Sequence, residues 1–292
     1  MKPFFSVIIP TYNRSNNLRL TISSVLEQTY SNFEILVMDD GSTDDTDKVV
    51  ASFNDKRIKY SWASNFGGPS RPRNRGIHLA VGNWVCFLDA DDWWTKNKLQ
   101  VCYDSISKDV DLIYHDLEIM GNTERWFRRK NVNSRRLKAP ILSDLLLKGN
   151  AIANSSVVVR KSLLLKIGGI NESMNLVASE DYNTWMRIAK LTDNFLYVKK
   201  KLGFYLIHSG SISHKDMSIS DAEAVSEFIS NFSDLEKLEV EGRLRYMKGS
   251  YNYSINNFLV AKEHLLFSLK QSQIKFALRS LFLLLIILAK QY

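Results

Sequence analysis

Residues 84–94 read WVCFLDADDWW: an apolar run of strand length that ends in three carboxylates within four residues, followed by two tryptophans. A continuous apolar run bounded in this way is the pattern of a strand buried on both faces. Like charges this close repel, so Asp89, Asp91 and Asp92 need a shared partner or separate uses. Mg²⁺ or Mn²⁺ held by one or two carboxylates keeps its other positions for water and for the phosphates of a substrate. The competing reading is a helix N-cap, since Asp92 precedes a helix expected over about residues 96–107. Capping accounts for one aspartate and not for three.

The pattern of strand followed by punctuation recurs towards the N-terminus. Phe5 to Pro10 (FSVIIP) and Phe33 to Met38 (FEILVM) are buried-type strands, and Arg57 to Trp62 is a third. Between them, residues 15–28 place Leu18, Ile22, Val25 and Leu26 at helical spacing, and Ser42 or Thr43 caps a helix to about Phe53. Arg73 to Val81 supplies a further helix. Such alternation predicts an α/β fold, a mainly parallel sheet with helices on both faces. Ligands in these sheets gather outside the carboxyl ends of the strands, where PTYNR (10–14), DDGSTDD (39–45) and DADD (89–92) all fall. DDGSTDD alone is turn and cap chemistry; at a strand end, an aspartate there can also accept from the imide N–H of a uracil ring.

Downstream, strands are expected at Leu112 to Ile119, Ser156 to Val159, Phe195 to Val198 and Phe204 to His208, with helices near Leu142 to Leu147 and over Glu180 to Leu191. After about Asp221 the pattern is helical alone, which divides the chain into a domain over 1–215 and a helical region over 216–292. The last segment, Ile274 to Ala289, has its longest apolar run from Leu281. At about 14 Å of helix against a hydrocarbon thickness of about 30 Å, that run is too short to span a bilayer. It suits either a core helix of a C-terminal bundle or an in-plane helix at a membrane surface, the latter helped by Lys275, Arg279 and Lys290.

The 292 residues are 45% hydrophobic with no low-complexity tract, which excludes a disordered chain. Cys86 and Cys102 lie outside any CxxC spacing and read as buried apolar residues in a reducing compartment. No signal peptide is evident, so the expected location is the cytoplasm. The net charge of +8 is concentrated at Arg125, Arg128, Arg129, Lys130, Arg135, Arg136 and Lys138. That segment is either a solvated loop or an electrostatic hold on phosphates, of a substrate or of an anionic membrane surface. No nucleic-acid partner is expected.

SVIIPTYNR, MDDGSTDDT, PRNRGI (72–77), FLDADDWW and ASEDYNTWMRIA (178–189) occur in an order and spacing that resemble the family 2 inverting glycosyltransferases of GT-A fold, over roughly residues 4–210. The resemblance implies that Pro10 and Thr11 line a nucleotide base, that Asp40, with Asp39 beside it, holds the uracil, and that Arg73 sits near the ribose and diphosphate. It implies that Asp89 faces the ribose or sugar, that Asp91 coordinates a metal bridging the diphosphate, and that Asp181 is the general base supported by Glu180. His208 would complete the metal site or touch the diphosphate, with a structural histidine as the alternative. Trp93 and Trp94 would floor a sugar site or pack at a helix start. Without the resemblance, Glu180-Asp181 reads as first-turn charge complementing a helix dipole.

The implied activity is metal-dependent (Mn²⁺ or Mg²⁺) transfer of a hexose or N-acetylhexosamine from a UDP-sugar, with inversion. Charge and class together suggest a lipid-diphosphate-linked saccharide acceptor at the inner face of a membrane, as in assembly of a bacterial surface polysaccharide such as O-antigen. One rival is a nucleotidylyltransferase, although PTYNRS lacks the Gly-rich basic loop usual after the first strand of those enzymes. The other is a non-catalytic nucleotide-sugar-binding module, against which intact DADD and SED segments argue.

Overall fold

The computed structural model describes residues 2–121, 132, 134–207 and 216–290. The apolar runs of the first third become four parallel strands, β1 (Phe5–Thr11), β2 (Phe33–Asp39), β3 (Ile58–Trp62) and β4 (Trp84–Phe87), ordered β3-β2-β1-β4. Helices α1 (Ser15–Leu26), α2 (Thr46–Ala51) and α3 (Ser70–Leu79) form the crossovers. Every residue of β1 and β2 is buried, because successive side chains point to opposite faces and both faces are covered. Val7, Ile9, Ile35 and Val37 meet Leu18, Ile22 and Val25 of α1. On the opposite face Ile8, Leu36 and Met38 share a core with Ile77 of α3.

The sheet continues as β5 (Trp93–Trp94), β6 (Leu112–Met120), β7 (Val158–Arg160) and β8 (Phe195–Leu206), giving eight strands among the described residues, ordered β3-β2-β1-β4-β7-β6-β8-β5. β7 runs antiparallel between β4 and β6, β8 is parallel to β6, and β5 is an antiparallel edge, so the sheet is mixed and mainly parallel. Helices α4 (Lys98–Ser105), α5 (Ile141–Lys148), α6 (Lys161–Lys166) and α7 (Glu180–Ala189) complete the layers.

Two expectations are corrected. The two short strands expected between residues 195 and 208 are one strand; exposed Lys199–Lys201 interrupt the apolar pattern where the register against β6 shifts. Ser42 and Thr43 do not cap α2, which begins at Thr46 after Asp44 accepts from its backbone and hydroxyl. Ser42 Oγ instead accepts from the Asn13 N–H, and the Thr43 N–H donates to Asn13 Oδ1, tying the loop after β2 to the loop after β1.

The chain ends in α8 (Ser218–Ser226), α9 (Asp234–Ser254), α10 (Phe258–Gln271) and α11 (Ile274–Ala289). Ser233 and Glu236 form a reciprocal capping box at the start of α9. Ala224, Val225, Phe228 and Val240 join the larger sheet core, whereas Ala261, Leu265, Leu284 and Ile287 form a small core of their own. One face of α11 therefore packs, and the other carries Ile274, Leu278, Phe282 and Leu285 exposed to solvent. Among the described residues, no helix is long and apolar enough to cross a membrane.

Candidate active site

The carboxyl ends of β1, β2 and β4 and the start of α7 converge on one pocket of about 560 Å³. Pro10, Thr11, Asp40, Arg73, Asp89, Asp91, Glu180 and Asp181 all line it. Residues separated by up to 171 positions thus meet because parallel strands end on one side of the sheet.

Arg73 is the centre of the arrangement. It is buried on α3, with Nη1 donating to Glu180 Oε1 at 2.6 Å and Nη2 to Asp89 Oδ1 at 2.7 Å. Burial works against its charge, but the two carboxylates more than offset that and raise its pKa, so it remains a cation. Arg73 Nε and Thr11 Oγ1 are buried and lack hydrogen-bond partners among the described residues, leaving polar atoms for a ligand to satisfy.

Glu180 Oε2 accepts from the Ala178 N–H at 2.8 Å, and Ala178 has φ of 81°, a left-handed backbone that a residue with a Cβ adopts only under constraint. Asp181 Oδ1 accepts from the Tyr182 N–H at 2.6 Å. Burial and then the Glu180 charge push the Asp181 carboxyl well above the usual carboxylate range, with Arg73 opposing. A carboxyl raised this way in a pocket is, as carboxylate, a stronger base than an ordinary aspartate and can serve in proton abstraction.

The three aspartates of DADD have different surroundings. Asp89 Oδ1 accepts from both Arg73 and Asn154 Nδ2, the latter at 3.0 Å. Asp91 lines the pocket. Asp92 is neither a cap nor a pocket residue: it is buried, accepting from Ser155 Oγ at 2.6 Å and the Leu206 N–H at 3.0 Å, while α4 begins only at Lys98. Burial, then Asp89 and Asp91, raise its pKa strongly.

Asp39, Trp93 and Trp94 stand apart from the pocket lining. Asp39 is buried, with Oδ1 accepting from the Ser42 N–H and Oδ2 from Tyr60 Oη, so it shapes the loop while Asp40 faces the pocket. Asp40 Oδ2 accepts from the Phe66 and Gly67 N–H groups. Gly41 permits this fold-over: its φ is 87°, and a Cβ there would lie 2.6 Å from the Asn65 nitrogen. Trp93 stacks on Phe204 across the β5–β8 pair at 5.2 Å, and Trp94 is buried with Nε1 donating to the Ser155 carbonyl. His208 and the basic residues Arg125, Arg128, Arg129 and Lys130 lie outside the described residues. Arg135 of the same basic segment is ion-paired with Asp144.

Among the described residues, no group of three or more His, Cys, Asp or Glu is placed to hold a metal ion. Two pocket carboxylates from one loop, Asp89 and Asp91, are still a fitting donor set for a hard cation whose other ligands are phosphate oxygens and water. Asn154 and Ser155, which grip Asp89 and Asp92, escaped the sequence reading because Asn-Ser before a strand is ordinary turn composition. Arg14, also at the pocket, was visible only as part of PTYNR.

With this geometry in place, the sequence matches the Glycosyl transferase family 2 model over residues 6–167. The chain belongs to that family. This glycosyltransferase is 36% identical over 188 residues, 63% of the chain and 69% of the relative, to UDP-Glc:alpha-D-GlcNAc-diphosphoundecaprenol beta-1,3-glucosyltransferase WfgD of Escherichia coli. It is 27% identical to WfaP of E. coli, which carries the same activity name, over 87% of this chain and 94% of that one. In structure it resembles S. aureus TarS 1–349 solved with UDP-GlcNAc (TM-score 0.67, 20% identity, 94% of this chain and 83% of that one). A mannosyltransferase from Pyrobaculum calidifontis solved with GDP-Man and Mn²⁺ aligns with a TM-score of 0.62 at 16% identity, covering 95% and 78% of the two chains. The glycosyltransferase therefore has the GT-A fold, with a helical C-terminal region.

Proposed function

We propose that the glycosyltransferase moves a hexose or N-acetylhexosamine from a UDP-sugar to a hydroxyl of a lipid-diphosphate-linked saccharide, with inversion at the anomeric carbon. The observation that carries the reading is the shared pocket, lined by Asp40, Arg73, Asp89 and Asp91 together with Asp181, whose pKa is raised. In this reading Pro10, Thr11 and Asp40 hold the uracil, and Arg73 with Asp89 orients the ribose and diphosphate. Asp91, with Asp89, holds a divalent cation, and His208 is a further candidate ligand. When bound, that cation stabilises the departing diphosphate as a Lewis acid.

The bond from the anomeric carbon to the β-phosphate oxygen breaks as the acceptor oxygen attacks from the opposite face, through an oxocarbenium-like transition state. Asp181 takes the acceptor proton, Glu180 and Arg73 hold the base in place, and UDP leaves. The named activity of the two E. coli relatives supports UDP-glucose and an α-GlcNAc-diphospho-lipid as the first substrate pair to test. Residues 1–215 form the catalytic part of this reading. Residues 216–292 include the apolar face of α11, which together with Lys275, Arg279 and Lys290 supports peripheral attachment at the inner face of the cell membrane, in surface polysaccharide synthesis.

The test is a panel of UDP-sugars with Mn²⁺ and a synthetic GlcNAc-diphospho-lipid, followed by mass spectrometry and NMR of the product. A β-linked product from the α-configured donor is expected. An α-linkage overturns inversion, and pyrophosphate release from a sugar 1-phosphate and a nucleoside triphosphate overturns glycosyl transfer.

A further inference from the structure

Outside the pocket, the most deeply buried guanidinium among the described residues belongs to the C-terminal helices. Arg243 of α9 is 1% exposed, and its planar fork meets three oxygens: Nε donates to the Leu146 carbonyl at 3.2 Å, Nη1 to Asp221 Oδ2 at 3.3 Å and Nη2 to Tyr182 Oη at 3.3 Å. Asp221, on α8, in turn accepts from Ser179 Oγ at 2.7 Å. Tyr182 Oη donates to the Leu145 carbonyl at 2.7 Å. Gly149 makes room for the fork: its φ is 82°, and a Cβ there would sit 3.2 Å from Arg243 Nη1.

Ser179 and Tyr182 are the two residues that flank Glu180-Asp181. The cluster thus grips the catalytic pair from both sides, through Asp221 before it and through the tyrosine hydroxyl after it. The grip is needed locally, because the chain enters α7 through Ala178 in a left-handed conformation that its own sequence does not favour. A strained entry persists only where surrounding contacts over-determine it, and α8 and α9 supply those contacts. Asn183 Nδ2 adds a further tie to the Ala224 carbonyl of α8 at 3.2 Å.

We infer that Arg243 and Asp221 are positioning residues for the base, so that the helical region after residue 216 is part of the catalytic apparatus as well as an attachment. The inference rests on Asp181 being the base. Lysine at 243 would keep one charge opposite Asp221 but could not present a planar fork to Tyr182 and Leu146.

The test uses full-length protein carrying Arg243→Met, Arg243→Lys, or Asp221→Asn with Arg243→Met, and reads Tm, UDP affinity and kcat for each. Arg243→Met leaves a buried, unpaired Asp221 and lowers Tm. The double variant removes that charge while its amide still accepts from Ser179, so Tm recovers. Because no guanidinium donates to Tyr182 Oη and the Leu146 carbonyl any longer, kcat remains lowered by ~10- to 100-fold with UDP affinity unchanged. Arg243→Lys folds and shows the same separation of kcat from UDP affinity. Recovery of kcat together with Tm in the double variant, or a wild-type kcat in Arg243→Lys, overturns the inference. Asp181→Asn is assayed alongside: retained turnover there removes the base assignment itself, whereas lost turnover with normal kcat in the Arg243 variants removes only the positioning role.

Discussion

Arg73 Nη1 lies 2.6 Å from Glu180 Oε1, joining two buried side chains that are 107 residues apart in the chain. The same guanidinium holds Asp89, so the DADD loop and the start of α7 are set by one cation. Arg73→Met removes it and strands two carboxylates in a low-dielectric pocket. Breaking a buried pair in this way costs about 3–5 kcal/mol, which urea unfolding would register along with weaker UDP-sugar binding. A loss within the ~0–1 kcal/mol of a surface pair would contradict the central place given to Arg73.

The raised pKa of Asp181 fixes the direction of a pH profile. As the proposed base it works only as carboxylate, so turnover is lost as pH falls through the raised value, above the ordinary aspartate pKa of about 3.9. Glu180→Gln removes the neighbouring negative charge that, after burial, does most to raise it. The acid limb of kcat/KM therefore moves to lower pH in that variant. A limb that stays in place or moves upward excludes Asp181 as the titrating base.

Asp91 and Asp92 are adjacent, yet their environments predict opposite outcomes. Asp91→Asn removes a pocket carboxylate and raises the Mn²⁺ concentration needed for half-maximal turnover by about 10-fold or more. Asp92 is buried against Ser155 and Leu206, and its surroundings favour the uncharged form, so Asp92→Asn keeps the shape and leaves the Mn²⁺ requirement near wild type. Titration of activity with Mn²⁺ in the two variants separates these cases, and equal shifts would refute the division.

The strand ends were legible because a strand buried on both faces is written as an unbroken apolar run, and ligands collect where such runs stop. FSVIIP, FEILVM and WVCF announce β1, β2 and β4, and the polar segments after them announce the pocket. The separate fates of Asp89, Asp91 and Asp92 were not legible, since burial is decided by Ser155 and Leu206, 63 and 114 residues further on from Asp92. Trp93 read as a sugar platform because nothing local reveals Phe204 as its stacking partner. Arg243 carried no motif at all; its meaning lies in three contacts that only tertiary structure brings together.

His115 supplies a stability test independent of activity. It is fully buried on β6, with Nδ1 against the Asp116 carbonyl; burial, then Lys98, lower its pKa to about 3. The unfolded chain protonates this histidine near pH 6.5, whereas the folded chain resists down to the lowered value. The unfolded state thus binds more protons across that window, and stability falls with decreasing pH by up to about 1.4 kcal/mol per unit. Urea unfolding at pH 7 and pH 5 should show this slope in the wild type and a shallower one in His115→Gln. Identical slopes would assign the acid sensitivity to other groups.

The tail of the chain offers the last prediction. Ile274, Leu278, Phe282 and Leu285 recur at helical spacing on the solvent face of α11 and are 78%, 60%, 53% and 56% exposed, while Phe276, Ser280, Leu284 and Ile287 face inward. Apolar side chains left in water on one face are what an in-plane helix buries at the acyl boundary, with its basic residues meeting anionic headgroups. Replacing Leu278 and Leu285 by Asp should leave circular dichroism and Tm unchanged, because neither side chain belongs to the bundle core. Burying a leucine contributes about 1.5–3 kcal/mol, so the double substitution should weaken binding to anionic lipid vesicles by at least about 10-fold in a flotation assay. High salt should weaken the wild type as well, through Lys275, Arg279 and Lys290. Wild-type protein that stays entirely in the soluble fraction with such vesicles at low salt would remove the membrane from the proposed function and leave this face for another partner.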